Sequence, residues 1–214
     1  MSRYELLIDG RLQAAEHYDR VIDPASEEIV GEAARASLEQ VDAAVDAAHR
    51  AFPAWATDLD VRRQSLARAA ERVRENAQAL AELITREQGR PLRSTLEEVA
   101  GVAATFEHHA QLELPADTQL RDDGERLVRI TRKPLGVVAA ITPWNVPLIL
   151  LVLKIAPACT PATPWWPSPR STRRCLPCCW RDCWAMRSPL ACSTWLPVRA
   201  RSANTWYVIR ECAT

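Results

Sequence analysis

The sequence predicts an α/β fold on three observations. A continuous apolar run, Val137 to Ile141, is followed by a short loop and a helix opened by Pro147, which is the strand, loop, helix order of an α/β unit. Three amphipathic helical patterns fill most of residues 37 to 112. Short β-rich segments precede them, beginning with Tyr4 to Ile8.

The elements follow in chain order. Asp9-Gly10 supplies a pair able to take positive φ, so Tyr4 to Ile8 turns back into Arg11 and Leu12 as a hairpin. Val21 to Pro24 ends a short extended segment at a proline turn, and Glu28 to Ala33 resumes as a strand. Ser37-Leu38-Glu39-Gln40 is a capping box that starts the first helix. Val41, Ala44, Val45, Ala48 and Phe52 form its apolar face, and Pro53 is expected to stop it. A longer helix begins after Asp60, carries Leu66, Ala70, Val73, Ala77, Leu80 and Ile84 on one stripe, and ends near Gly89 and Pro91. In the third, Thr95 reads as the cap with Glu98 at the capping-box position, and Leu96, Val99, Val102, Phe106 and Leu112 as the core face. The Arg and Glu residues on the far sides of the second and third helices read as solvated. Leu127 to Arg132 is a two-faced strand, Lys133 to Gly136 a turn, and Val137 to Ile141 a parallel strand covered on both faces. Pro147 then opens a helix over Leu148 to Ala156.

Composition divides the chain. The 214 residues, 48% of them hydrophobic, suffice for one large domain or two small ones. Basic and acidic residues number 27 each, so no global basic field argues for nucleic acid or a membrane surface. Residues 159 to 214, however, hold eight Arg against Asp182 and Glu211, a net of plus six, while residues 1 to 158 carry minus six. All seven cysteines lie in that tail (Cys159, Cys175, Cys178, Cys179, Cys183, Cys192, Cys212), with six of the eight Trp and none of the six Gly. The chain therefore reads as residues 1 to 158 plus an unlike Cys-, Trp-, Pro- and Arg-rich tail, which is expected to be disordered.

The N-terminus carries charge within its first five residues and reads as no secretory leader. The longest apolar run, Val146 to Leu153, falls short of the ~20 residues that span a bilayer. A cysteine-free first 158 residues fits a reducing cytoplasm. His108 and His109 are adjacent and lack the i, i+4 spacing of a helical metal site, and His17 and His49 stand alone. The tail cysteines form only one loosely spaced cluster without glycine turns, so neither a zinc module nor a nucleic-acid surface is expected there. No metal site is expected.

Ligands in open α/β sheets bind beyond the carboxyl ends of strands, which places the candidate chemistry on Thr142 to Val146. Asn145 is the polar side chain presented there. An amide donor on a rigid loop can stabilise a developing oxyanion, at ~3 kcal/mol per donor in a working enzyme. Asn145 can equally cap the following helix or close a turn. Spacing alone leaves both open.

The run KPLGVVAAITPWNVPLILLVLKIAPA, residues 133 to 158, closely resembles the segment around the PWN motif of the aldehyde dehydrogenase family. LIDGR (7 to 11), VIDPASEEIVGEAARAS (21 to 37), VDAAVDAAHRAFPAW (41 to 55) and LITREQGRPL (83 to 92) extend the resemblance over residues 4 to 158. It implies the N-terminal portion of an aldehyde dehydrogenase-like Rossmann-variant domain with part of the β oligomerisation element, an incomplete fold. The same resemblance implies oxidation of an aldehyde to a carboxylic acid with NAD or NADP, through cysteine attack, hydride transfer and thioester hydrolysis. Asn145 then matches the asparagine whose side-chain amide, with the catalytic cysteine's backbone amide, forms the oxyanion hole. Ile141, Thr142, Pro143 and Trp144 match the strand end and loop lining the nicotinamide site. Val146 and Leu150 would face the aldehyde tunnel, and Lys154 is structural. That family's nucleotide-binding half lacks a simple GxGxxG, so its lack here is no contrary sign.

The resemblance fails after Ala158. Where the family continues with a Gly-Asn turn, a strand and a KPS motif, this chain has Cys159 to Pro169, with Ser168 in place of the lysine that contacts the adenosine ribose. The later nucleophilic cysteine and general-base glutamate have no counterpart. Moving the reading frame one base toward the 5′ side permits LHAGNTVVAKPS for residues 158 to 169 and GVLNVVAGAGEVGEYLVRHP across 190 to 209. Some of this is forced, since Trp165-Trp166 must give Val and Trp166-Pro167 must give Ala. Both strings resemble the family's continuation, which points to a frameshift, in the gene or its reading, after residues 156 to 158. The chain is thus expected to be a truncated, inactive dehydrogenase with impaired cofactor binding, its partners a small aldehyde and a further copy or a full-length paralogue. The alternative is a non-catalytic module pairing with a full-length subunit through the strand at 127 to 132.

Overall fold

The computed structural model describes residues 2–113, 118–122, 126–130, 134–160, 198–199 and 205–209. The expected disorder of the tail falls mainly on residues outside that set. Five short strands come first: β1 (Arg3–Tyr4), β2 (Leu6–Ile8), β3 (Arg11–Gln13), β4 (His17–Ile22) and β5 (Ile29–Arg35). β2 and β3 form the expected hairpin, closing Ile8 on Arg11 through Asp9 (φ 53°) and Gly10 (φ 70°), the positive-φ pair that a two-residue turn demands. β5 lies between β1, which it meets in parallel, and β4, which it meets antiparallel from His17↔Arg35 to Ile22↔Ile29.

Four helices follow: α1 (Leu38–Thr57), α2 (Leu59–Glu75), α3 (Ala77–Gln88) and α4 (Leu92–Gln111). α1 starts at the expected capping box. The Gln40 N–H donates to Ser37 Oγ at 3.2 Å, and the Ser37 N–H donates to Gln40 Oε1 at 3.1 Å. Pro53 does not stop it. The helix runs one more turn because Trp55, only 5% exposed, anchors that turn in the core, and its buried face is Ala44, Ala47, Ala48, Ala51 and Trp55.

The expected long second helix is two helices broken at Asn76, whose side-chain amide donates to the Arg72 carbonyl at 2.9 Å and so competes with the backbone ladder. Thr95 is not a cap either. α4 begins at Leu92 after Pro91, and Thr95 is fully buried, its hydroxyl donating to the Leu92 carbonyl and accepting from the Thr85 hydroxyl. Arg62, Glu87 and Glu98 are buried, so not every charged residue of these helices lies on a solvated side.

α4 packs on α2 and α3 along one side and on α5 (Pro147–Cys159) along another. The main core lies between them, with Leu66, Val73, Leu80, Ile84, Val99, Val102, Phe106, Leu148 and Val152 each 3% exposed or less. β6 (Thr118–Asp122) pairs antiparallel with β7 (Leu127–Ile130). β8 (Val138–Ile141) leads into α5, with Pro147 at the helix start as expected.

β8 is not the parallel strand expected. Its neighbour among the described residues is β10 (Thr205–Ile209), antiparallel, with β9 (Val198–Arg199) beyond. Ala140 is buried while Ala139 is exposed, so one face of β8 is uncovered. A short apolar run reports burial potential, not the direction of the strand that pairs with it.

Two glycines should respond oppositely to alanine. At Gly101, inside α4, a Cβ would meet Ile149 Cδ1 at an ordinary 3.8 Å. Gly101→Ala should therefore raise stability by about 0.5–1 kcal/mol. Gly89 caps α3 at φ 67°, and a Cβ there would stand 2.8 Å from Pro24. Gly89→Ala should lower stability by at least about 1 kcal/mol, with urea unfolding as the measurement for both.

Candidate active site

The loop after β8 is fixed at both ends and open in the middle. Ile141 is half-buried and Thr142 is buried, while Pro147 and Leu148 are buried at the start of α5. Between them Pro143 and Val146 are half-buried, Trp144 is 52% exposed and Asn145 is exposed. Leu150 and Lys154 are half-buried on α5. Asn145 and the four residues before it, Ile141 to Trp144, thus sit in one stretch at the carboxyl end of β8.

The helix-cap alternative for Asn145 is corrected. Val146 is the N-cap of α5, and its apolar side chain makes no cap hydrogen bond. Asn145 is exposed and makes no hydrogen bond to any of the described residues.

Capping of α5 comes from another helix. The Ile149 N–H, in the first turn, donates to Glu98 Oε1 of α4 at 3.2 Å. Glu98 Oε2 pairs with Arg90, which also donates to Ser94 Oγ at 3.0 Å. The Glu98 side chain is only 3% exposed, and that of Arg90 is 23% exposed. Glu98 was read from sequence as a capping-box residue of its own helix. The signal for its real role was its place on the buried stripe with Thr95, Val99 and Val102, where a carboxylate needs a partner.

Other clusters lie elsewhere. A cleft of about 280 Å³ on α2 and α4, lined by residues that include Arg63, Ala67, Arg74 and Glu107, shares none with the loop. His109 Nδ1 donates to the Thr105 carbonyl at 2.9 Å. Among the described residues no three His, Cys, Asp or Glu side chains gather as a metal site, and no helix is long and apolar enough to cross a membrane.

A family model described as Aldehyde dehydrogenase family matches residues 12–164. Aminoaldehyde dehydrogenase 2 of Solanum lycopersicum is 35% identical over 164 residues, covering 72% of this chain and 32% of the relative. The 3,6-anhydro-alpha-L-galactose dehydrogenase of a Vibrio species is also 35% identical over 164 residues, covering 74% and 34%. A betaine aldehyde dehydrogenase variant from Staphylococcus aureus, solved with NAD+, superposes with a TM-score of 0.70 at 26% identity, covering 74% of this chain and 33% of that one. The chain belongs to the aldehyde dehydrogenase family. Its fold is the N-terminal part of that α/β architecture, and it spans about a third of the length of the relatives it matches.

The middle of the loop is apolar apart from one amide. Ile141, Pro143 and Trp144 offer an apolar surface on which a planar ring can rest, and Asn145 supplies a donor and an acceptor beside it. Residues 141–146 include no cation, and the Ile149 amide at the α5 N-terminus is already taken by a carboxylate whose charge opposes phosphate there. The loop therefore presents an apolar surface with one amide and no charged side chain.

Replacing Arg90 by methionine leaves Glu98 buried without its cation. Arg90→Met should destabilise the fold by about 3 kcal/mol in urea unfolding, whereas Arg93→Met, at an exposed pair with Glu97, should change it by less than about 0.5 kcal/mol.

Proposed function

We propose that the loop Thr142–Val146 is one wall of an aldehyde-oxidising site, with Asn145 as the oxyanion donor. The observation that carries this is an exposed, uncapped amide at the carboxyl end of β8, on a loop fixed at both ends, within the stretch matched to the family. A donor held in place before reaction needs no reorganisation when charge develops on the aldehyde oxygen. Ile141, Thr142, Pro143 and Trp144 line the nicotinamide end of NAD or NADP, which supplies the hydride acceptor when bound. Val146 and Leu150 border the aldehyde. Lys154 has a structural role.

This chain is proposed to be inactive alone. Its segment up to about residue 158 ends before the family's nucleophile, general base and ribose-contacting lysine, and residues 159 to 214 read as a frame-shifted remainder. Cofactor binding is then impaired, because only the ring end has its wall. Relatives are named for aminoaldehydes, glutarate semialdehyde and an anhydrogalactose, so family membership leaves the particular aldehyde open. The cysteine-free segment supports a cytoplasmic setting. Association with a further copy or a full-length paralogue belongs to the same reading.

Purified as it stands, the chain should produce no NADH or NADPH above background from a panel of aliphatic, amino and aromatic aldehydes. The product of the frame-corrected gene should do so, and Asn145→Ala in it should lower kcat by about 10²–10³-fold with KM little changed. Turnover by the uncorrected chain contradicts inactivity. A corrected enzyme indifferent to Asn145→Ala contradicts the oxyanion role.

A further inference from the structure

Resting on that reading of the loop, we propose that Glu98 is a positioning residue for Asn145: its carboxylate is the cap that α5 lacks in its own sequence. The first amides of a helix have no partner within it. α5 meets this need poorly, since its N-cap is Val146 and its first residue, Pro147, carries no N–H. The Glu98 carboxylate arrives from α4, 51 residues away in the chain, and accepts from Ile149, four residues past Asn145. A negative charge at that helix end is favoured.

Arg90 and Ser94 hold the carboxylate, Arg90 pairing with its second oxygen and bonding Ser94 at 3.0 Å. Gly101, one turn further along α4, lies beside the Ile149 side chain. The tie therefore fixes the downstream end of the loop, as buried Thr142 fixes the upstream end. Loosening it frees the segment that carries Asn145 without touching Asn145 itself.

Hydrogen exchange by mass spectrometry on the full 214-residue chain tests this without any activity. Glu98→Ala should speed exchange of the peptide 144–150 by about tenfold or more while α2 keeps its protection, and Glu98→Gln, whose amide oxygen still accepts, should stay within about threefold of wild type. A folded Glu98→Ala variant with unchanged exchange at 144–150 overturns the proposal. So does Glu98→Gln exchanging as fast as Glu98→Ala, or α2 loosening together with 144–150. Should Glu98→Ala not fold, the wild-type chain decides by NMR. Its Ile149 amide must exchange at least about tenfold slower than in an unstructured peptide, and an unprotected amide overturns the tie. These readouts stand apart from catalysis. Loss of the oxyanion role with intact protection refutes the reading of Asn145 alone, and absent protection refutes the tie alone.

Discussion

The Glu98 carboxylate, almost wholly out of water, joins two helices that are remote in sequence. Taking a carboxylate out of solvent costs several kcal/mol, and removing its partner leaves that cost unmet. Here one oxygen meets Arg90 and the other the Ile149 amide, so both sides of the group are satisfied. Because α4 also packs on α2 and α3, the start of α5 is referenced to the largest buried cluster among the described residues. The loop between β8 and α5 inherits that reference. Its exposed middle is held by its ends.

Local chemistry made much of this legible in the sequence. The Ser37 capping box, the Asp9-Gly10 turn and Pro147 at a helix start each depend on a few neighbouring residues, and each stands where the sequence places it. The misreadings needed distant partners. Trp55 carries α1 past Pro53 through core packing, Thr95 is drawn inside α4 by Thr85, and Glu98 serves another helix. Asn76 broke the second helix by a local bond, but the same residue type is tolerated on many helix surfaces, so the apolar stripe across it dominated the reading. The direction of β8 was illegible because it is fixed by whichever strand pairs with it. As for the site, Asn145 stands on the loop that the strand, loop, helix order singles out, and its lack of capping duty follows only from Val146 standing at the helix boundary.

Membership of the aldehyde dehydrogenase family and a match to about a third of its relatives' length together shape how the site is understood. An oxyanion donor acts on a substrate held against other walls. The described loop offers an apolar ledge and an amide, and on the proposed function the phosphate anchor and the nucleophile lie outside it. On the proposed function, the shift in composition after Ala158, from acidic and cysteine-free to arginine-, tryptophan- and cysteine-rich, comes from a second reading frame of a family gene.

The nucleotide sequence across codons 157 to 210 tests this most directly. A frame displaced one base toward the 5′ side should spell LHAGNTVVAKPS and then GVLNVVAGAGEVGEYLVRHP, without a stop codon between them. A displaced frame that spells neither string, or is closed by stops, contradicts the derivation of the tail from a family gene.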